Sequence, residues 1–119
     1  MKDQFEFEKF NVYKKSEEFY SKVLRIIANQ KIDKNLKDQL KRAALSIVLN
    51  IAEGAGKYSK NDKKNFYVVS KGSVNECVAI IRILKLENKI AEDLFGDAYS
   101  DLLGIAKMLS DLMNSMLKR

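Results

Sequence analysis

Apolar residues along this chain recur every three or four positions in four separate runs, and nowhere alternate convincingly with a period of two. That spacing predicts helices rather than strands. The first run covers about Glu8 to Asn29. Val12, Phe19, Val23 and Ile26 share one stripe there, and Tyr13, Tyr20, Leu24 and Ile27 widen it. The polar NQKIDKN that follows reads as a turn, with Asp33 placed to cap the next helix. The second run, about Asn35 to Gly54, steps through Leu36, Leu40, Ala43, Ala44, Ile47 and Ile51. Gly54 and Gly56 are expected to end it, as glycine does past a helix C-terminus.

Ser59 and Asp62 fit the S-x-x-D capping pattern and open a third helix, about Lys60 to Leu86. Its apolar surface, Phe66, Val69, Cys77, Ile80 and Leu84 flanked by Tyr67, Val74, Val78 and Ile81, is wider than a one-sided helix needs. The fourth run, about Glu92 to Leu117, places Phe95, Ala98, Leu102, Ile105, Leu109, Leu112 and Met116 at alternating steps of three and four, a heptad seam. Tyr99, Leu103, Ala106, Met113 and Leu117 make a second row. Short connections between four such helices predict an all-α fold, an antiparallel up-down-up-down four-helix bundle, as a single domain over residues 1–119. The apolar faces of the third and fourth helices exceed what one core needs, which predicts a homo-oligomer.

Composition narrows the chemistry. The chain has no proline, no tryptophan and no histidine, so uninterrupted helices are allowed and the usual general base of a hydrolase is missing. A di-metal bundle site built on Glu-x-x-His pairs is likewise excluded. The single Cys77 lies inside an apolar run, which rules out a disulfide framework and makes the thiol a small apolar filler. Glu53, Asp62 and Glu76 match no metal motif, so a Mg²⁺-dependent nuclease is the least favoured reading. No catalytic residue, metal, cofactor or small-molecule substrate is expected. The N-terminal MKDQFEFEKF lacks a basic region followed by an apolar stretch, and no apolar run is long enough to span a bilayer. A cytoplasmic protein without membrane contact is the expectation.

The formal charge of +6 is unevenly spread. Residues 1–30 carry +1, residues 31–60 +4, residues 61–90 +3 and residues 91–119 −2. Lys34, Lys37 and Lys41 run along one side of the second helix. Lys57, Lys60, Lys63, Lys64 and Lys71 gather around the following turn, with Tyr58 and Tyr67 among them. Lysines neutralise phosphates without reading bases, and a tyrosine can stack on one. The same lysines serve equally well as a solubilising face.

A polar stripe crosses the apolar second helix. Arg42, Ser46, Asn50 and Glu53 share one face, and Ser70, Ser73 and Glu76 form a similar line on the third helix. Arg42 with Glu76 is an attractive ion pair, and Asn50 with Ser73 an attractive hydrogen bond. Simple antiparallel geometry about the turn instead places the partners of Asn50 and Arg42 near residues 63 and 71, so those pairs need side-chain reach or a shifted register. A buried network that fixes register or oligomer state is preferred to a ligand site.

FEKFNVYKKS, QLKRAALSIVLNIAEG, YSKNDKKNFY and KGSVNE, in this order, resemble the bacterial four-helix-bundle family encoded in intervening sequences of 23S rRNA genes, a family related to the accessory protein of diversity-generating retroelements. The resemblance spans nearly the whole chain and is most specific over Gln39 to Gly54. Its defining positions fall on Arg42, Ser46, Asn50, Glu53 and Gly54, then on Ser59, Phe66, Gly72, Ser73 and Glu76. It implies a bundle with a basic surface, commonly a homopentamer, that associates with structured RNA or DNA without catalysis. Where the family usually has proline this chain has Val48, which predicts a straighter second helix.

The reading favoured by residues and resemblance together is a non-enzymatic, oligomeric RNA-binding protein acting on 23S rRNA or its intervening sequence. Lys57, Lys60, Lys63 and Lys64 are the leading contacts, with Lys37 and Lys41 next. The alternative is a protein–protein adaptor whose apolar faces dock a nucleic-acid enzyme such as a reverse transcriptase.

Overall fold

The computed structural model describes residues 3–117. Four helices follow a short 3-10 turn at Glu6–Lys9: α1 (Asn11–Ile26), α2 (Lys34–Ala55), α3 (Lys60–Leu86) and α4 (Glu92–Leu117). α2 touches α1 and α3, and α4 touches α3 and α1, so the helices stand at the corners of a square in up-down-up-down order. The most extensive contact is the α2–α3 hairpin. The all-α bundle expected from the spacing is the fold observed.

The starts of α2 and α3 and the stop of α3 have local causes. The Asp33 carboxylate accepts the Leu36 N–H at 2.9 Å, and the Ser59 hydroxyl accepts the Asp62 N–H at 3.0 Å, so two first-turn donors that no carbonyl can reach are satisfied. α3 stops where Asn88 turns left-handed at φ 57°. Its N–H bonds the Lys85 carbonyl at 3.0 Å and the next N–H, of Lys89, reaches back to Leu84 at 2.9 Å. That pair of bonds closes a Schellman motif. The Asn29 side chain donates to the Lys89 carbonyl at 3.0 Å, which ties the α1–α2 connection to the α3–α4 connection at the same end of the bundle.

Boundaries differ from expectation at both ends of α1, which stops at Ile26 rather than Asn29, and at the end of α2. α1 begins at Asn11 rather than Glu8, because Phe10 is extended (φ −71°, ψ 131°) and separates it from the 3-10 turn. The kink lets Phe10 pack against the core while Phe7 sets its edge on Tyr13, with centroids 4.8 Å apart. α2 runs through Gly54 to Ala55, and Gly56 caps it at φ −84° without entering the left-handed region. Gly54 is therefore a packing residue and not a terminator. It is buried, and a Cβ there would lie 2.7 Å from Tyr67 Cε1 and 3.1 Å from Phe66 Cβ. Only glycine lets the two backbones approach this closely.

The core is one cluster. Phe19 and Val23 come from α1, Leu40, Ile47 and Ile51 from α2, Tyr67, Ile81 and Leu84 from α3, and Leu102, Ile105 and Leu109 from α4. Burial of these side chains supplies the main driving force for folding. Val69, expected on the inner face of α3, is instead half-exposed, and Tyr67, two residues earlier, takes the inner position. No helix among the described residues is long and apolar enough to cross a membrane.

Candidate nucleic-acid interface

The polar stripe resolves into a satisfied hydrogen-bond chain. Ser73 Oγ donates to Ser46 Oγ at 2.8 Å, and Asn50 Nδ2 donates to the Ser46 carbonyl at 2.8 Å and to its hydroxyl at 3.1 Å. Ser70 Oγ adds a bond to the Ile47 carbonyl at 2.9 Å. No described buried side-chain nitrogen or oxygen lacks a partner. Asn50 thus bonds within its own helix, and Ser46 is the residue that meets Ser73. Arg42, Glu53 and Glu76 are exposed and stand outside this chain of bonds. Arg42 and Glu76 lie at the same level of the hairpin, both exposed, and make no ion pair among the described residues. Glu53 pairs with Lys57 at 3.8 Å.

The register behind these contacts is shifted. Gly54 against Tyr67 and Ser46 against Ser73 place α3 about one turn further along α2 than a direct reversal would. The first turn of α3 therefore projects past the end of α2, and it carries three of the predicted lysines. Lys60 is exposed at its start. Lys63 reaches back, Nζ donating to the Ala55 carbonyl at 3.0 Å, where a cation meets the negative end of α2. Lys64 is half-buried and makes no ion pair among the described residues. Lys57, in the turn, stands over the Phe66 ring with Nζ 5.1 Å from its centroid. Tyr58 is fully exposed beside them. Tyr67 is buried under Gly54, with its phenol pushed above its usual pKa by burial, and so is no stacking platform.

Lys37 and Lys41 do not join this group. Lys41 lies fourteen residues before Ala55 on the continuous α2, about 21 Å along the axis. The six predicted lysines thus form two groups, four at the α2–α3 turn and two towards the opposite end.

Three further lysine contacts escaped the sequence reading. Asp101 of α4 is buried between Lys15 and Lys22 of α1, with Nζ–Oδ distances of 3.3 and 2.6 Å. Asp101 bonds and attracts Lys15, and so holds the lysine's pKa above its ordinary value. The signal was the seven-residue spacing of Lys15 and Lys22, facing an acid set among the apolar positions of α4. On α3, half-buried Lys71 donates from Nζ to Ser110 Oγ at 2.7 Å. Cys77 is fully buried, and burial, with Glu76 second, pushes its thiol up to about 12, far from a reactive thiolate. No group of three metal-ligating side chains occurs among the described residues.

The model of the 23S rRNA-intervening sequence protein family matches residues 8–111, which is most of the chain and all but the last turns of α4. The chain belongs to that family. A crystal structure from the S23 ribosomal protein family of Bacteroides thetaiotaomicron, described as a protein of unknown function, superposes with a TM-score of 0.80. It is 23% identical, and the match covers 86% of this chain and 97% of that one, so the likeness is one of fold. Among curated proteins none matches significantly. Of the family positions named from sequence, Ser59 caps α3 and Phe66 stands under Lys57, and the other eight divide in two. Ser46, Asn50, Gly54 and Ser73 build the α2–α3 contact, whereas Arg42, Glu53, Gly72 and Glu76 face solvent.

Proposed function

We propose that this family member is a non-enzymatic, oligomeric bundle that binds structured RNA, 23S rRNA or its intervening sequence, through the lysine-rich end of the α2–α3 hairpin. The observation that carries the reading is the projection of the first turn of α3 beyond α2, which brings Lys57, Lys60, Lys63 and Lys64 together beside exposed Tyr58. Cations in a cluster neutralise backbone phosphates and release counterions, so binding should be nearly sequence-independent and steeply salt-dependent. Filter binding to a 23S rRNA intervening-sequence hairpin checks this. Charge reversal at Lys60, Lys63 and Lys64 should weaken binding at least tenfold at low salt. Equal affinity for the reversed and natural chains would sink the proposal.

Assembly rests on a different surface. The outer side of α3 exposes Val68, Val69, Ile83 and Leu86, the last to 83%, and α2 adds Leu45 and Leu49. Gly72, in the middle of that side, has nothing within 4 Å of a Cβ position, so nothing inside the protomer requires glycine there. A glycine in a helix interior costs about 1 kcal/mol against alanine. Close approach of a second copy along α3 would account for it, in a homo-oligomer for which the pentamer is the expected form. The adaptor reading draws on the same apolar side. A chain that stays monomeric yet captures a reverse transcriptase would favour that reading over ours.

A further inference from the structure

We infer that the seam between α3 and α4 holds a seat for backbone phosphates, formed by Lys71, Ser110 and Lys64. This rests on the RNA-binding reading and deepens it, because it moves part of the contact away from the turn identified by sequence. Two of the turn lysines are already engaged: Lys57 with Glu53 at 3.8 Å, and Lys63 with the Ala55 carbonyl at 3.0 Å. Lys71 is different. It is half-buried, its Nζ is held at 2.7 Å by the neutral Ser110 hydroxyl, and no carboxylate pairs with it among the described residues. The contrast within the same bundle is Asp101, whose carboxylate pairs with both Lys15 and Lys22 in the α1–α4 seam.

A partly desolvated ammonium with only a hydroxyl partner keeps its full attraction for an anion. Its side chain is also already fixed, so less conformational entropy is lost on binding. Lys64 lies seven residues earlier on α3, two turns and about 10.5 Å along the same side, and it too lacks an ion pair among the described residues. Since α4 runs antiparallel to α3 and Ser110 stands level with Lys71, Asn114 falls one turn further towards Lys64 and supplies a neutral donor between the two cations. Ser110 and Asn114 add no charge that would repel a phosphate. The seat therefore presents two cations two turns apart along one side of α3, with Lys64 shared with the lysines of the turn.

The test is the salt dependence of binding to a structured RNA hairpin by the full chain. K64Q/K71Q is compared with K34Q/K107Q, which removes the same charge from exposed lysines paired with Asp38 and Asp111. The seat requires K64Q/K71Q to flatten the log–log salt slope by about 2, one for each lost phosphate contact. K34Q/K107Q should leave the slope almost unchanged. S110A keeps both cations and should lower affinity about two- to threefold at constant slope, and K71R should retain the natural slope. Circular dichroism of each variant verifies the helical content. A slope lowered by only about 1, the share Lys64 has as a turn lysine, would overturn the seat while leaving the RNA reading intact, and equal slopes for the two double variants would count against both. Absence of any salt-dependent binding by the natural chain would overturn both.

Discussion

The α2–α3 contact and the contacts of α4 are built from opposite materials. Between α2 and α3 the polar links are neutral: serine to serine, asparagine to serine, serine to carbonyl, with Gly54 drawing the helices together. α4 is attached through charge, with Asp101 between two lysines of α1 and Ser110 under a lysine of α3. Neutral hydrogen bonds in a tight contact specify register and respond weakly to salt or pH. Ionic links tolerate looser packing, because long lysine stems reach across a gap, but they respond to both. Over one shared apolar core, the polar links of the hairpin thus respond little to salt and pH, and those of α4 respond more.

Substitutions can break this contrast from either side. The largest effect belongs to Gly54→Val, which forces side-chain carbon against the buried Tyr67 ring, where even a Cβ would stand 2.7 Å away. Overpacking of this kind should cost about 3 kcal/mol, read by urea unfolding. Asp101→Ala comes next. It strands two lysines whose side chains are 35% and 22% exposed, so the cost of a broken buried pair is reduced by their access to water, to about 2 kcal/mol. Ser73→Ala removes one neutral bond while Asn50 still donates to Ser46, and should cost about 1 kcal/mol without changing oligomer mass.

The pH profile separates the two halves more gently. Lys15, held above 10.5, contributes stability that is complete below that value and lost as pH rises through its raised folded pKa. Tyr13, raised by burial and the neighbouring Glu17 from 10.0 to about 12, and Cys77, raised from 9.0 to about 12, act with the same sign, because the folded state holds their protons longer than the unfolded chain does. Stability should therefore decline from about pH 9 upward. Asp101→Ala should decline less steeply than the natural chain, since the Lys15 shift disappears with its first cause. Identical alkaline profiles for the two would show that the α1–α4 link contributes nothing measurable.

The fold was legible because periodicity and caps report on one helix at a time. Asp33 and Ser59 announce their helices, and the heptad seam of α4 from Phe95 to Leu109 is buried as its spacing required. What escaped depends on how two helices meet. The register that joins Ser46 to Ser73 follows from Gly54 packing on Tyr67, a contact that no local pattern encodes. For the same reason Gly54 read as a helix terminator. The pairing of Lys15 and Lys22 with Asp101 crosses more than 75 residues of sequence. Lys71 was seen as one of a basic group, while its pairing with a neutral hydroxyl, and with no carboxylate among the described residues, became visible only in three dimensions.

Sedimentation of the natural chain at micromolar concentration, with and without a 23S rRNA hairpin and at low and high salt, tests the account most directly. The apolar side of α3 should hold one oligomeric mass at both salt concentrations, and the lysine-rich end should take up RNA only at low salt. A monomer under all conditions, or an oligomer that ignores RNA, would contradict it.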